Sequence, residues 1–450
     1  MKLHFFLTLF IIGTIWSCTP TKVITEVIPP PNPYHSTATY QIDTSSVFSK
    51  SFTGFVLYNP EQDTILDSLL YNKYFTPASN TKLLTCYTAL KVFKDSIPAL
   101  RYVILGDSLI FWGTGDPSAL NIDLDTNTTV IQFLSKRTEK LFYAPQNAGP
   151  RFGNGWSWDD YNYSFMSERN DLPLYGNMTH WKFKKGQKAP NCAPNYFDPM
   201  AVENSLPKNT SSLSRAEYDN IFRYNNPKKN RRHSRIIPMK TSNELTKALL
   251  ENALNRPIGS FTFSKSLNNR RNVKTIYSLP IDRVVREMMQ PSDNFVAEQL
   301  LLSASYKLFD RFDAQKAMTY AKQQWFYDAP DVPVWEDGAG VSRYNLFTPR
   351  TMVYLLDKLR DEFGEERLFQ IMAAGGKSGT IKRWYKSDTN EPYIYAKTGT
   401  LSNKHCLSGY LLTKSGKTLI FSFMHNNHIT SSKPLKVEMT RVLEFIRDNY

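Results

Sequence analysis

The sequence predicts an α/β (α+β) fold, in which both ends of the chain build one antiparallel sheet flanked by helices around a large β-rich insertion. Two observations carry this. A strand pair and a helix stand near each end of the chain, and the stretch between them shifts to aromatic, Asn, Pro and Gly residues with short apolar runs. At 450 residues, 41% hydrophobic and 14% aromatic, the chain has the composition of a folded protein of two or three domains.

Taken in order, Met1 to Cys18 has Lys2, an apolar run from Phe5 to Ile15 and small Ser17 before Cys18. That run is short for a membrane span and has the shape of an export signal. Ile15-Trp16-Ser17-Cys18 resembles a bacterial lipobox, making Cys18 a candidate for lipidation and for a membrane tether. An ordinary signal or an uncleaved anchor is the alternative. Residues 19–40, rich in Pro and Thr, read as an extended linker. Ser51–Asn72 alternates around an Asn-Pro turn as a hairpin, and from Ser79 the residues Leu83, Leu84, Tyr87 and Leu90 recur at helical spacing with one buried face. Residues 101–278 form the expected insertion. Helical pattern returns from Pro280 to Leu308, broken at Pro291. His405–His425 reads as a hairpin around Lys414-Ser415-Gly416-Lys417, and Leu435, Met439, Val442, Leu443 and Ile446 line one face of a last helix. The catalytic part is therefore expected over 41–100 and 279–450.

The formal charge of +14 comes from scattered residues. Its one dense run, Lys228 to Arg235, reads as a solvated loop, so nucleic acid is not an expected partner, whereas an acidic polymer or an anionic membrane face suits the charge. Apart from Cys18, Cys86, Cys192 and Cys406 allow at most one disulfide, and none has the spacing of a zinc site. His425-Asn426-Asn427-His428 ends an apolar run and reads as structural. No metal and no cofactor is expected.

Three short motifs carry chemistry. Ser79-Asn80-Thr81-Lys82 opens a helix, Ser292-Asp293-Asn294 follows Pro291, and Lys397-Thr398-Gly399-Thr400 precedes the final hairpin. A serine hydroxyl needs a base, and a lysine one turn later lies on the same face, close enough to act if its amine is neutral. Lys397 and desolvation would both lower the pKa of Lys82. The backbone N–H of Ser79, free at a helix start, and a second from Thr400 would form an oxyanion hole. Gly399 leaves room for a substrate along the strand edge. Ser292 can relay a proton to a leaving amine, and Asn294 can hold an amide. Each motif alone also fits a helix cap, a turn or a strand end; the ordered set points to acyl transfer.

These motifs, together with Gly113–Leu120, Gly153–Phe165, Glu336–Pro349 and Gly375–Trp384, resemble the peptidase S13 family of D-alanyl-D-alanine carboxypeptidases/endopeptidases, of the penicillin-binding protein 4 type. The likeness runs from about Ser51 to the C-terminus. It implies a penicillin-binding-protein/β-lactamase-like transpeptidase domain and hydrolysis of D-Ala–D-Ala in peptidoglycan stem peptides, often with cleavage of cross-links. It further implies an acyl-enzyme on Ser79 with Lys82 as base, a substrate carboxylate held by Lys397 with Thr398 or Thr400, and β-lactam antibiotics as covalent inhibitors. Asp160, in the Trp-rich segment, would meet the free amine of the stem, although a loop or cap carboxylate is an equal reading. Lys377-Ser378-Gly379-Thr380 departs from the family, which usually has an acidic residue before Gly-Thr. Asp337, in Asp-Gly-Ala-Gly, reads as a turn residue. The alternatives are a β-lactamase or esterase on the same fold, for which no Glu-x-x-Leu-Asn-type loop stands between Asn294 and Lys397, and a non-catalytic wall-binding protein.

Overall fold

The computed structural model describes residues 37–184, 189–203, 212–225 and 233–450. The export segment with Cys18 and residues Lys228 to Arg232 of the basic run lie outside the described residues.

Outside the insertion, the chain forms α1 (Ala38–Asp43), β1 (Phe52–Asn59), β2 (Thr64–Leu69) and α2 (Lys82–Val92). After it come α3 (Ile281–Met289), α4 (Asn294–Phe309), α5 (Ala314–Gln324), α6 (Pro349–Phe363) and α7 (Glu365–Ile371). The chain closes with β3 (Ala373–Ala374), β4 (Ile394–Leu401), β5 (Lys404–Leu412), β6 (Thr418–Asn426) and α8 (Ser432–Asn449). The six strands make one antiparallel sheet in the order β3-β4-β5-β6-β1-β2, so the two chain ends meet where β1 pairs with β6.

Period-two burial explains the layers. On β5, Cys406 and Tyr410 face the core shared with α2, α3, α4 and α6, while Leu407 and Leu411 face the core shared with α1 and α8. The last helix buries the five residues that its spacing predicts.

Two expectations need correction. Helix α1 begins at Ala38, inside the stretch read as linker. Thr37 caps it, Ala38 and Ile42 are buried, and the Thr39 N–H donates to Asp67 on β2 at 2.8 Å. Residues 38–40 are thus folded onto the sheet. Helix α2 does not have one buried face. Every residue from Lys82 to Leu90 is buried, because α2 runs between the sheet and helices α3 and α4.

The insertion has a core of its own, built on Trp181, Phe197, Leu213 and Phe222. Its largest sheet has five strands in the order Gly259–Ser260, Lys140–Tyr143, Ser108–Gly113, Ser96–Leu105 and Lys274–Pro280, and two three-stranded sheets accompany it. The strands Ser96–Leu105 and Lys274–Pro280 straddle the expected boundaries at 100/101 and 278/279. Trp112 of the insertion donates to the Tyr306 hydroxyl of α4 at 2.9 Å, which fixes this module against that helix. Among the described residues no helix is long and apolar enough to cross a membrane. Cys86, Cys192 and Cys406 are buried and unpaired, so the single disulfide that the count permits does not form among them.

Candidate active site

Pro77 and left-handed Ala78 (φ 48°) lead into a 3-10 turn, Ala78–Thr81, which then continues as α2. The helix expected from Ser79 therefore starts more tightly wound. With three residues per turn, positions i and i+3 eclipse. Ser79 and Lys82 are stacked by that winding, with Lys82 Nζ 2.9 Å from Ser79 Oγ.

Lys82 is fully buried, and its Nζ also donates to Asn294 Oδ1 at 2.7 Å and to the Ala339 carbonyl at 2.6 Å. Burial pushes its pKa down to about 8 against the opposing pull of Asp337, Asp293 and Glu298. Lys397, also fully buried, is held well below its usual value by burial and then by the charge of Lys82, a repulsion that the two ammonium groups share. A protonated Lys82 satisfies all three acceptors. A neutral one can keep its two N–H groups on Asn294 and Ala339 and turn its lone pair to Ser79.

The second motif sits where α3 breaks. Ser292 takes φ 69°, Asp293 caps α4 by accepting from Val296 N–H at 2.8 Å, and Asn294 opens that helix. Lys397 Nζ donates to Ser292 Oγ at 2.7 Å and to the Thr398 carbonyl at 2.8 Å. Asn294 is held on both sides, since its Nδ2 donates to the Phe165 carbonyl of the insertion at 3.0 Å.

The third motif lies on β4. Strand β3 pairs only with Tyr395 and Ala396, so no strand among the described residues pairs with the outer edge of residues 397–401. An open edge beside a nucleophile is a site where an extended peptide can add. Gly399 packs against the serine turn: a Cβ there would sit 2.3 Å from the Pro77 carbonyl and 3.1 Å from Ser79 N. The Asn80 amide, fully buried, donates to the Lys397 carbonyl and clamps the turn to the strand. The Thr398 hydroxyl lies 2.7 Å from that of Thr380, and Thr400 Oγ1 lies 3.0 Å from His405 Nδ1.

The five residues expected to act together form two hydrogen-bonded sets, Ser79–Lys82–Asn294 and Ser292–Lys397, and the buried charges of Lys82 and Lys397 act on each other. Thr398, Gly399 and Thr400 follow Lys397 on β4. Asp160 is outside both sets. It sits half-buried in the turn Trp158–Asn162, where burial and Asp159 raise its pKa and Arg343 opposes them. Its loop reaches the site through the Phe165 carbonyl. Thr380, from the segment that departs from the family, approaches Thr398 and donates its N–H to the Gln290 carbonyl at 3.0 Å.

Several supporting residues escaped sequence reasoning. Asp337 does turn the chain, but it also accepts from Trp156 Nε1, Gly340 N, Ser342 N and Asn345 Nδ2 at 2.7 to 2.8 Å. It thereby shapes the loop whose Ala339 carbonyl meets Lys82. Glu298 accepts from Ala339 N at 2.8 Å and pairs with Arg169 of the insertion at 3.0 Å, both side chains nearly buried. A backbone carbonyl leaves no signal in a sequence. Asn80 lies within the motif Ser79–Lys82, and a polar residue at a buried helix start is a signal in the sequence; Asp337, in Asp-Gly-Ala-Gly, carries only the signal of a turn.

A family profile described as the D-Ala-D-Ala carboxypeptidase 3 (S13) family matches residues 41–445. Similar proteins include D-alanyl-D-alanine carboxypeptidase DacB of Haemophilus influenzae, 25% identical over 178 residues, which are 38% of this chain and 37% of that protein. A D-alanyl-D-alanine carboxypeptidase of Actinomadura is 34% identical over 110 residues, 23% of this chain and 20% of that one. The chain thus matches well under half the length of these relatives. Among solved structures, penicillin binding protein 4 (dacB) from Haemophilus influenzae superposes with a TM-score of 0.73 at 17% identity, covering 92% of this chain and 100% of that one. That likeness places the chain in the same fold, with its sheet flanked by helices.

Proposed function

Because the chain belongs to the D-Ala-D-Ala carboxypeptidase 3 (S13) family, we propose that it is a serine DD-peptidase. It cleaves the terminal D-Ala–D-Ala bond of peptidoglycan stem peptides, and D-Ala cross-links, through an acyl-enzyme on Ser79. The observation that supports this reading is the contact of Lys82 Nζ with Ser79 Oγ at 2.9 Å, beside the unpaired edge of β4.

Neutral Lys82 takes the Ser79 proton as Oγ attacks the D-Ala carbonyl. The N–H groups of Ser79 and Thr400 meet the oxyanion. The proton that Lys82 took passes through Ser292, in contact with Lys397, to the leaving amine, which returns Lys82 to the neutral form as D-Ala departs. Water then attacks the acyl-enzyme, Lys82 taking its proton and giving it to Ser79 Oγ as the acyl C–O bond breaks. The hydroxyls of Thr398 and Thr400, with Lys397, meet the substrate carboxylate. Asn294 fixes Lys82, and the second hydrogen on its Nδ2 meets the substrate amide. Asp160 meets the stem's free amine. Penicillins, whose lactam resembles the D-Ala–D-Ala amide, acylate Ser79. Export and a lipid on Cys18 would bring the enzyme to its polymer, and its net charge of +14 suits an acidic wall or membrane face.

The test uses the protein without its first 18 residues. Wild type is expected to take up fluorescent penicillin stably and to release D-Ala from a pentapeptide, and Ser79→Ala to do neither. A wild type that does neither rejects the proposal, and rapid loss of the label points to a β-lactamase.

A further inference from the structure

His405 stands directly across the ladder from Thr400, fully buried, with its Nδ1 3.0 Å from Thr400 Oγ1. It belongs to a group of three buried imidazoles. His425 is its cross-strand partner on β6, and His428 and Lys436 are close enough to act on its charge. Each ring commits Nδ1: His425 to Thr53 Oγ1 at 2.9 Å, His428 to the Thr430 carbonyl at 2.8 Å, and His405 to Thr400. Each leaves Nε2 buried without a partner. No set of such groups among the described residues has an arrangement that could hold a metal ion.

The orphaned nitrogens decide the tautomers. His428 faces a carbonyl, which only accepts, so its hydrogen is on Nδ1 and its Nε2 is bare. For His405 the Nε2–H form would bury a donor with nothing to receive it, whereas the Nδ1–H form leaves only an unused lone pair. An orphaned buried N–H is the costlier of the two. Burial, followed by Lys436 and His428, holds the ring neutral by pushing its pKa down to about 3. The hydrogen bond then runs from His405 Nδ1–H to Thr400 Oγ1. The hydroxyl hydrogen of Thr400, an exposed residue, is then free to be donated to another acceptor.

We infer that His405 is a positioning residue that makes the Thr400 hydroxyl a committed donor to the substrate's terminal carboxylate. The inference rests on the role proposed above for Thr400.

The test compares KM for a peptide ending in D-Ala–D-Ala with KM for the same peptide amidated at its C-terminus. Thr400→Val should raise KM for the free acid about tenfold, the loss of one hydrogen bond to a charged group, and His405→Leu, which keeps the hydroxyl but no longer commits it as a donor, should raise it by a smaller factor. KM for the amide should barely change. Thr400→Val with His405→Leu should be no worse than Thr400→Val alone. His405→Asn, whose Nδ2 occupies the place of Nδ1, should restore most of the loss. If Thr400→Val leaves KM for the free acid unchanged, the carboxylate role of Thr400 fails and this inference with it. If Thr400→Val acts as stated but His405→Leu adds to it in full, or His405→Asn fails to rescue in a protein that still takes up penicillin, the inference alone is overturned.

Discussion

The Nζ of Lys82 donates to Oδ1 of Asn294 at 2.7 Å, joining segments 212 positions apart. Through this bond the second motif helps hold the amine of the first in place. Burial governs Lys82 and lowers its pKa to about 8 against Asp337, Asp293 and Glu298. Acylation requires the neutral amine, so the second-order rate of penicillin labelling should climb about tenfold per pH unit below 8 and level off above it. Asn294→Asp would place a carboxylate against the amine and favour its charged form, moving that limb upward by about one unit. Stopped labelling reactions from pH 6 to 10 read both effects; a flat wild-type profile would exclude Lys82 as the base.

Gly399 has no room for a side chain. The first atom that an added Cβ would meet is a backbone carbonyl, that of Pro77, which cannot swing aside. Gly399→Ala should push β4 away from the serine turn and slow acylation by about 100-fold, the usual penalty for a misplacement of about 1 Å. A labelling rate within threefold of wild type would show that the turn and strand can part without consequence.

Glu298 and Arg169 are an ion pair nearly closed off from solvent, with side-chain exposures of 1% and 9%. Removing one partner leaves the other charge buried, so Glu298→Ala should lower stability by about 3–5 kcal/mol in urea unfolding. Combining it with Arg169→Met should recover a large part of that loss. Equal destabilisation by the single and double variants would mean that the pair contributes nothing specific.

The cysteines give a simpler check. Cys86 and Cys406 are fully enclosed, and burial raises both thiols to about 12. A soluble form beginning at Thr37 should show almost no reaction with a chromogenic disulfide at pH 8 and should titrate all three thiols once unfolded. Fast reaction of any thiol in the native protein would contradict its burial.

Local pattern was enough to locate the two terminal strand pairs, the final helix and the three motifs that meet at the candidate site. Alternation and helical spacing reflect which side of an element is wet, and the three motifs are contiguous in sequence. The amphipathic reading of α2 failed for a related reason: a helix enclosed on all sides loses the contrast between faces, and Thr85 and Thr88 within it are buried like their apolar neighbours. The start of α1 was hidden because six residues next to a Pro-rich stretch carry little periodicity, and it is Asp67 and α8 that hold them.

By itself the sequence determined the three motifs, their order and the presence of an insertion, and it singled out Ser79 and Lys82 as the candidates proposed above, because residue types at short spacing and a shift in composition carry that information. Only the tertiary structure decided that the Ala339 carbonyl meets Lys82, that Asn80 clamps the serine turn to β4, and that His405 faces Thr400. Those contacts join distant segments, some through backbone atoms. A chain acquires them only when its sheet closes and buries the groups, and burial is also what fixes which of them carry protons.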